Sequence, residues 1–392
     1  MIIWRGAGRG KVTLILLGAI VLLASVMVPQ RSEASTNQSL NRALNRVMDA
    51  PNGPPGISMQ IVKHGRSQYF RRGVANLQTG ARPNLAMRFR IASVAKAFSG
   101  AVTLSLVRKG KLSLYSTVGQ VLPGILPAAR NVTLAQVLAH TGGLPEYIKS
   151  DGFKNEVGRH PGRYVSPRHI VSWVRNAPLT HRPGSKYEYS DTDNIIAGLM
   201  AQRVTGVPYM KLVHRFAGRR FGGLPGTYMP RTVKMPGPYI HGYDIVPGKK
   251  PKDISHLINP SGAWASGGIV STLPALSRFF RAYVGGRLLG NGPTSRYIKR
   301  VQRDWLPGSS QPPGPGVNYA GMALFRYRTR CGTMFGHTGS FPGYRVFAAS
   351  SADGNRSIVF VANAQITDKS GSPRVSALIR RAQVAAVCHA LK

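Results

Sequence analysis

Acidic residues are what this chain lacks most. Among 392 residues, 13 Asp and Glu stand against 53 Lys and Arg, a formal charge of +40 at pH 7. Such an imbalance creates a field that gathers polyanions. The basic residues are nevertheless scattered, with no dense run and no aromatic-basic module, so no recognisable nucleic-acid reader is present and no nucleic-acid partner is expected. Cysteine is also scarce: only Cys331 and Cys388 occur, and with the ten histidines they show no metal-ligand spacing. Neither a metal nor another cofactor is expected. A G-x-S-x-G nucleophile elbow is missing. A phosphate-binding loop ending at Gly10-Lys11 fails twice, because Arg5 replaces its first glycine and Val12 its Ser/Thr. After residue 28 no stretch approaches a membrane span.

What is present begins with a leader. Arg5, Arg9 and Lys11 precede an uncharged stretch from Val12 to Val28, and Ser32-Glu33-Ala34 offers small residues at the positions a signal peptidase reads. Residues 1–34 are therefore expected to be a secretory signal, with an uncleaved N-terminal membrane anchor as the alternative. Either reading places residues 35–392 outside the cytoplasm, secreted or periplasmic. Setting the leader aside leaves a charge of +37. That excess suits an anionic cell-envelope polymer, or an acidic exterior. In an oxidising compartment Cys331 and Cys388 are expected to bond to each other, tying a strand region to the C-terminal helix.

The hydrophobic pattern gives an architecture. Asn37–Ala50 reads as an amphipathic helix. Ile57–Lys63 and Ser67–Val74 read as a hairpin turned at His64-Gly65. Ile91–Arg108 carries apolar residues around most of its circumference, the mark of a buried helix. Helices separated by Pro/Gly loops dominate about 110–270, with Asn194–Thr205 clear among them and Pro274–Gly285 following. Strand pattern returns at Gly343–Ser350 and Ser357–Asn363 around Asp353-Gly354, a hairpin signal, before a last helix at Pro373–Ala390. The fold expected is α/β: an antiparallel sheet assembled from both chain ends (about 35–92 and 320–392), flanked by helices and interrupted by a large helical insertion. A substrate would lie between sheet and insertion.

Three short elements carry chemistry. Ser93-Val94-Ala95-Lys96 puts a serine and a lysine on one helix face, one turn apart. A serine hydroxyl needs an adjacent base, and a lysine among apolar neighbours can relay a proton. Alone, the motif is also that of an N-cap serine beside a solvated lysine. Tyr189-Ser190-Asp191 precedes a helix, and a tyrosine near a lysine cation ionises more readily. Alone, Tyr189 is a loop tyrosine packed on the core and Asp193 a helix cap. Gly336-His337-Thr338-Gly339-Ser340 leads into the C-terminal hairpin, where a strand at the cleft wall could donate the Ser340 N–H to an oxyanion. His337 and Thr338 can bind a substrate carboxylate or support Tyr189. His140-Thr141-Gly142 repeats the triplet, but it follows a helix and enters a Gly/Pro loop, so it is assigned to architecture.

In this order the three elements resemble the serine beta-lactamase and penicillin-binding superfamily, most closely its class C beta-lactamase and D-alanyl-D-alanine carboxypeptidase branch. The stretches Phe89–Ser93, Val132–Tyr147 and Gly262–Thr272 resemble it as well. The resemblance implies an acyl-enzyme on Ser93, a proton shared by Lys96 and Tyr189, and oxyanion donors from the Ser93 and Ser340 backbone. Asp191 departs from the usual asparagine; it keeps an acceptor, loses the amide donors and can carry charge. The implied activity is D-alanyl-D-alanine carboxypeptidase-like, on cell-wall peptides. A class C-like beta-lactamase or an esterase on the same scaffold is the alternative, as is a catalytically silent penicillin-binding or wall-sensing module.

Overall fold

The structure, a computed structural model, describes residues 33–218, 222–306, 309–310, 312–368 and 372–392. The leader expected at 1–34 lies outside the described residues, apart from Glu33 and Ala34. These open helix α1, Glu33–Met48.

The centre is a seven-stranded antiparallel sheet made of β1 (Gly56–Lys63), β2 (Arg66–Gly73), β3 (Val317–Ala320), β4 (Phe325–Thr329), β5 (Gly332–Phe341), β6 (Tyr344–Ser350) and β7 (Arg356–Ala362), in the order β2-β1-β7-β6-β5-β4-β3. The two chain ends meet where β1 pairs with β7, Ile57 opposite Ala362 and Lys63 opposite Arg356. The β1–β2 hairpin turns on His64 and Gly65, both at positive φ, which matches the right-handed twist of the strands they join. Alternation turns successive side chains of each strand to opposite faces of the sheet. Ile57, Met59 and Ile61 of β1 join Ile358 and Phe360 of β7 in one core, beneath α1 and the last helix. Val359 and Val361 enter the other core. With both faces covered, β7 reads as the nearly unbroken apolar run Ile358–Ala362.

The second core holds the helical region. Helix α2, Lys96–Arg108, is buried from Lys96 through Leu106. Helix α3 (Asp191–Thr205) packs on it, and α4 (Leu273–Val284) packs on the sheet at β1, β6 and β7. Phe98 and Phe279 stack with ring centroids 3.9 Å apart. The helical segment runs on past 270 to α5, Pro293–Gln302. Helix α6, Pro373–Leu391, packs on α1. Among the described residues, no helix is long and apolar enough to cross a membrane.

Cys331, in the turn between β4 and β5, is bonded to Cys388 on α6. The bond closes a loop with a sequence separation of 57. By chain entropy that is worth about 4 kcal/mol at most. Thermal melts of the double Cys→Ser variant are expected to show a loss of about 2–4 kcal/mol. Equal iodoacetamide labelling of the denatured chain with and without prior reduction would show that no bond exists.

Candidate active site

Ser93 does not begin an α-helix. It lies in a 3-10 turn, Ala92–Ala95, that runs into α2 at Lys96. Ala92 has φ +53°, a left-handed conformation that costs an L-residue about 1–2 kcal/mol. Strain of this kind persists where surrounding packing over-determines it. Here β5 presses on the turn from one side: a Cβ on Gly339 would sit 2.6 Å from the Ile91 oxygen and 3.1 Å from the Ser93 nitrogen. Only glycine allows that approach.

Lys96 is fully buried, and its ammonium spends its three donors on three partners. It donates to Ser93 Oγ at 3.3 Å, to the Ser266 carbonyl at 3.0 Å and to the Asp191 carboxylate in a short ion pair. It also lies over the Tyr189 ring, 4.8 Å from the centroid. The residue at the departure from the family pattern, Asp191, is thus the counter-ion of the buried cation. The short helix Trp264–Gly267 brings the Ser266 carbonyl to Lys96.

Tyr189 is half-buried with its hydroxyl fully enclosed, and that hydroxyl makes no hydrogen bond of regular geometry. Burial, then the Asp191 charge, pushes its pKa well above its ordinary value, while a looser contact with Ser93 works the other way. The expectation of an easily formed phenolate is reversed, because burial disfavours the charged form and the Asp191 charge adds to it. Behind Tyr189 lies His140, with ring centroids 4.6 Å apart. His140 Nδ1 is 2.7 Å from Asp193 Oδ2 and accepts the Ser190 N–H at 3.4 Å. Burial pushes the histidine pKa well down and the aspartic acid pKa well up. His140 Nδ1 thus stands between the Asp193 carboxyl and the Ser190 N–H. Asp193 is therefore not the cap of α3; the Ser190 hydroxyl caps it, accepting the Thr192 N–H.

Of the third motif, only Ser340 lines the cleft. His337 lies buried on the Lys96 side, with burial and then Lys96 holding its pKa down to about 3, so it is neutral. Its Nδ1 meets the Thr338 carbonyl. Thr338 is buried on the opposite face, its N–H donating to the Tyr327 hydroxyl at 3.1 Å. Strand alternation makes it impossible for both side chains to face the cleft, so the expectation that His337 and Thr338 together meet a substrate is corrected.

Two neighbours were not singled out in the sequence. Gln365 lines the cleft and donates to Ser340 Oγ at 3.1 Å. Glu146 accepts the Asp191 N–H at 2.8 Å and the Ile148 N–H at 3.3 Å. Burial, then the Asp191 charge, raises its pKa to about 7. The available signal was scarcity: in a chain of 13 acids, Glu146 falls directly after the Leu144-Pro145 stretch that carries the family likeness. The cleft encloses about 530 Å³. Ser93, Asp191, Ser340 and Gln365 lie on its wall, together with an apolar lining that includes Ile148, Phe153, Val157, Leu257 and Phe341. Among the described residues, no group of His, Cys, Asp and Glu is arranged to hold a metal ion.

A beta-lactamase family profile matches residues 44–381. The chain belongs to the beta-lactamase family. Its relatives include protein flp of Staphylococcus aureus, 29% identical over 165 residues, which cover 41% of this chain and 32% of that protein. This chain therefore spans about a third of the length of the first curated relatives it matches. The putative penicillin-binding protein PbpX of Bacillus subtilis is 24% identical over 86% of this chain and 76% of its own length. Among solved structures, a D-stereospecific amidohydrolase from Streptomyces sp. superposes with a TM-score of 0.71 at 25% identity, covering 88% of this chain and 98% of that one. The D-amino acid amidase of Ochrobactrum anthropi, complexed with D-phenylalanine, gives 0.76 at 21% identity, covering 90% and 98%.

Two titrations are expected from this geometry. Asp191→Asn removes a charge that raises the Tyr189 pKa, so the acid limb of the pH profile for ester hydrolysis should move down by about one unit. An unmoved or rising limb would contradict the arrangement. Glu146 has a folded pKa of about 7, above its ordinary value of 4.5. The folded state then holds a proton the unfolded state has lost, so stability falls as pH rises from about 4.5 through 7. Glu146→Gln should remove roughly 1–3 kcal/mol of that fall, read as a flatter melting temperature between pH 5 and 8.

Proposed function

We propose that this chain is an exported serine hydrolase acting through a Ser93 acyl-enzyme, most closely a D-alanyl-D-alanine carboxypeptidase-like enzyme on cell-wall peptides. The observation that carries the reading is the convergence of Ser93, on the cleft wall, with Lys96 buried one turn on and Tyr189 brought from a distant segment to lie over the lysine. Ser93 Oγ attacks the scissile carbonyl, and its proton passes to the Lys96–Tyr189 pair. That proton is delivered to the leaving nitrogen as the C–N bond breaks, and water then cleaves the serine ester. The Ser93 and Ser340 N–H groups are the proposed oxyanion donors. Lys96 Nζ already contacts Ser93, Asp191 and the Ser266 carbonyl, so the proton from Ser93 is shared among groups that are in place before substrate arrives. Export is supported by the leader and by the disulfide, which suits an oxidising compartment.

A second reading is favoured by the apolar cleft wall. Ile148, Phe153, Val157 and Leu257 offer a larger apolar surface than an alanyl methyl group fills. This suits small amides of D-amino acids with apolar side chains, as the names of the amidase structures suggest.

The deciding experiment is fluorescent penicillin labelling of the wild type beside Ser93→Ala. Label in the first and none in the second is expected. Slow loss of that label, with D-alanine released from D-alanyl-D-alanine peptides, supports the carboxypeptidase. Rapid loss points to a beta-lactamase. Turnover of D-phenylalaninamide but not of the peptides supports the second reading. No label and no hydrolysis would leave a silent binding module.

A further inference from the structure

Behind the sheet, on the face away from the cleft, α1 and α6 lie side by side and carry arginines into a shared depression. One hollow of about 630 Å³ is lined by Arg42 and Arg46 of α1, Arg380 and Arg381 of α6, and Arg330 from the β4–β5 turn. A second, of about 400 Å³, continues it past Arg374, and Arg46, Ala377 and Arg381 line both. Arg380 is neutralised by Asp368, with contacts of 2.9 and 3.0 Å. Arg42, Arg46, Arg330, Arg374 and Arg381 are exposed and have no ion pair among the described residues. The remaining carboxylate of the depression, Asp49, lies in the second hollow. Cys331, the neighbour of Arg330, is bonded to Cys388 of α6, so the disulfide anchors that arginine's turn to the groove.

We propose that this groove binds a linear phosphate-bearing polyanion. Five unpaired guanidiniums on three chain segments are spread along two joined hollows, a layout for a repeating charge rather than one headgroup. Guanidinium forks match phosphate oxygens in pairs. None of the large exposed apolar side chains lines either hollow, so the face has no residue to insert into a bilayer. Aromatic side chains are missing from both linings as well, which removes base stacking as a source of affinity. Because the cleft opens from the other core, an occupied groove leaves Ser93 accessible: the polymer fixes where the enzyme sits, not how fast it turns over. The proposal stands independently of which substrate the cleft accepts.

The test uses long-chain inorganic polyphosphate and the mature chain, with binding followed by fluorescence anisotropy across a salt series. The groove variant carries Arg42→Gln, Arg46→Gln, Arg374→Gln and Arg381→Gln. A charge-matched control carries Arg66→Gln, Arg82→Gln, Arg215→Gln and Arg296→Gln, all at exposed positions elsewhere. The groove variant is expected to lose at least about ten-fold in affinity, and its slope of log K against log salt to flatten by about 3, at roughly 0.7 per contact. The control should lose far less. Unchanged melting temperature and Ser93-dependent hydrolysis in the groove variant would show that it folds. Equal losses in both variants would overturn the proposal, because net charge would then explain the binding. So would groove-dependent binding to phosphatidylglycerol vesicles that saturating polyphosphate fails to displace.

Discussion

Everything around the cleft is arranged to keep one ammonium out of water. Burying an unpaired cation costs several kcal/mol even after relaxation, so Lys96 can stay inside only with its three protons satisfied. That requirement fixes three pieces of the chain relative to α2: the Ser93 turn, the first residue of α3 through Asp191, and the Ser266 carbonyl. The ring of Tyr189 closes the remaining side. An asparagine at 191 would supply a dipole in place of a charge, leaving the cation less well compensated in a low-dielectric site. The aspartate settles the charge locally, and the tyrosine beside it is correspondingly harder to ionise.

The same arrangement explains where a chain so poor in acid spends it. Three of the 13 acidic residues, Glu146, Asp191 and Asp193, gather within this one buried region. Burial, and then the neighbouring carboxylates, raise the pKa of Glu146 to about 7 and that of Asp193 well above its ordinary value. Elsewhere in the chain the other acids are far outnumbered by the 53 Lys and Arg. The excess is uniform in sequence but not in space, since α1 and α6 bring their arginines together.

Much of this was legible in the sequence, and the limits are physical. Hairpins announced themselves through two-residue turns such as His64-Gly65, whose positive φ values few other pairs adopt. The helices at α3, α4 and α6 followed apolar spacing and stop signals, with ends displaced by one to three residues. Motif order brought Ser93, Lys96 and Tyr189 to mind as a set, because chemistry constrains those residue types. What stayed hidden was orientation. Nothing in His337-Thr338 says which side chain takes which face until the register of β5 against β6 is known. Nor does Tyr189-Ser190-Asp191 reveal that burial, and then the aspartate, raises the tyrosine pKa, since both depend on how the chain packs. The strand β3 and helix α5 were likewise unread, being short and bounded by Pro/Gly-rich segments.

The pairing of β1 with β7 has a consequence for the order of events in synthesis. Ile57 finds its partner 305 residues later, at Ala362. At about 5–20 residues per second, the first hairpin waits roughly 15–60 s for the strand that will hold it. Until then β1 shows an unpaired edge and apolar side chains, which is a hazard for aggregation. The nucleophile turn waits too, because Gly339 on β5 is what closes against it. A nascent chain that ends before residue 341 has the serine, the lysine and the tyrosine, and still lacks the wall that would make them a cleft.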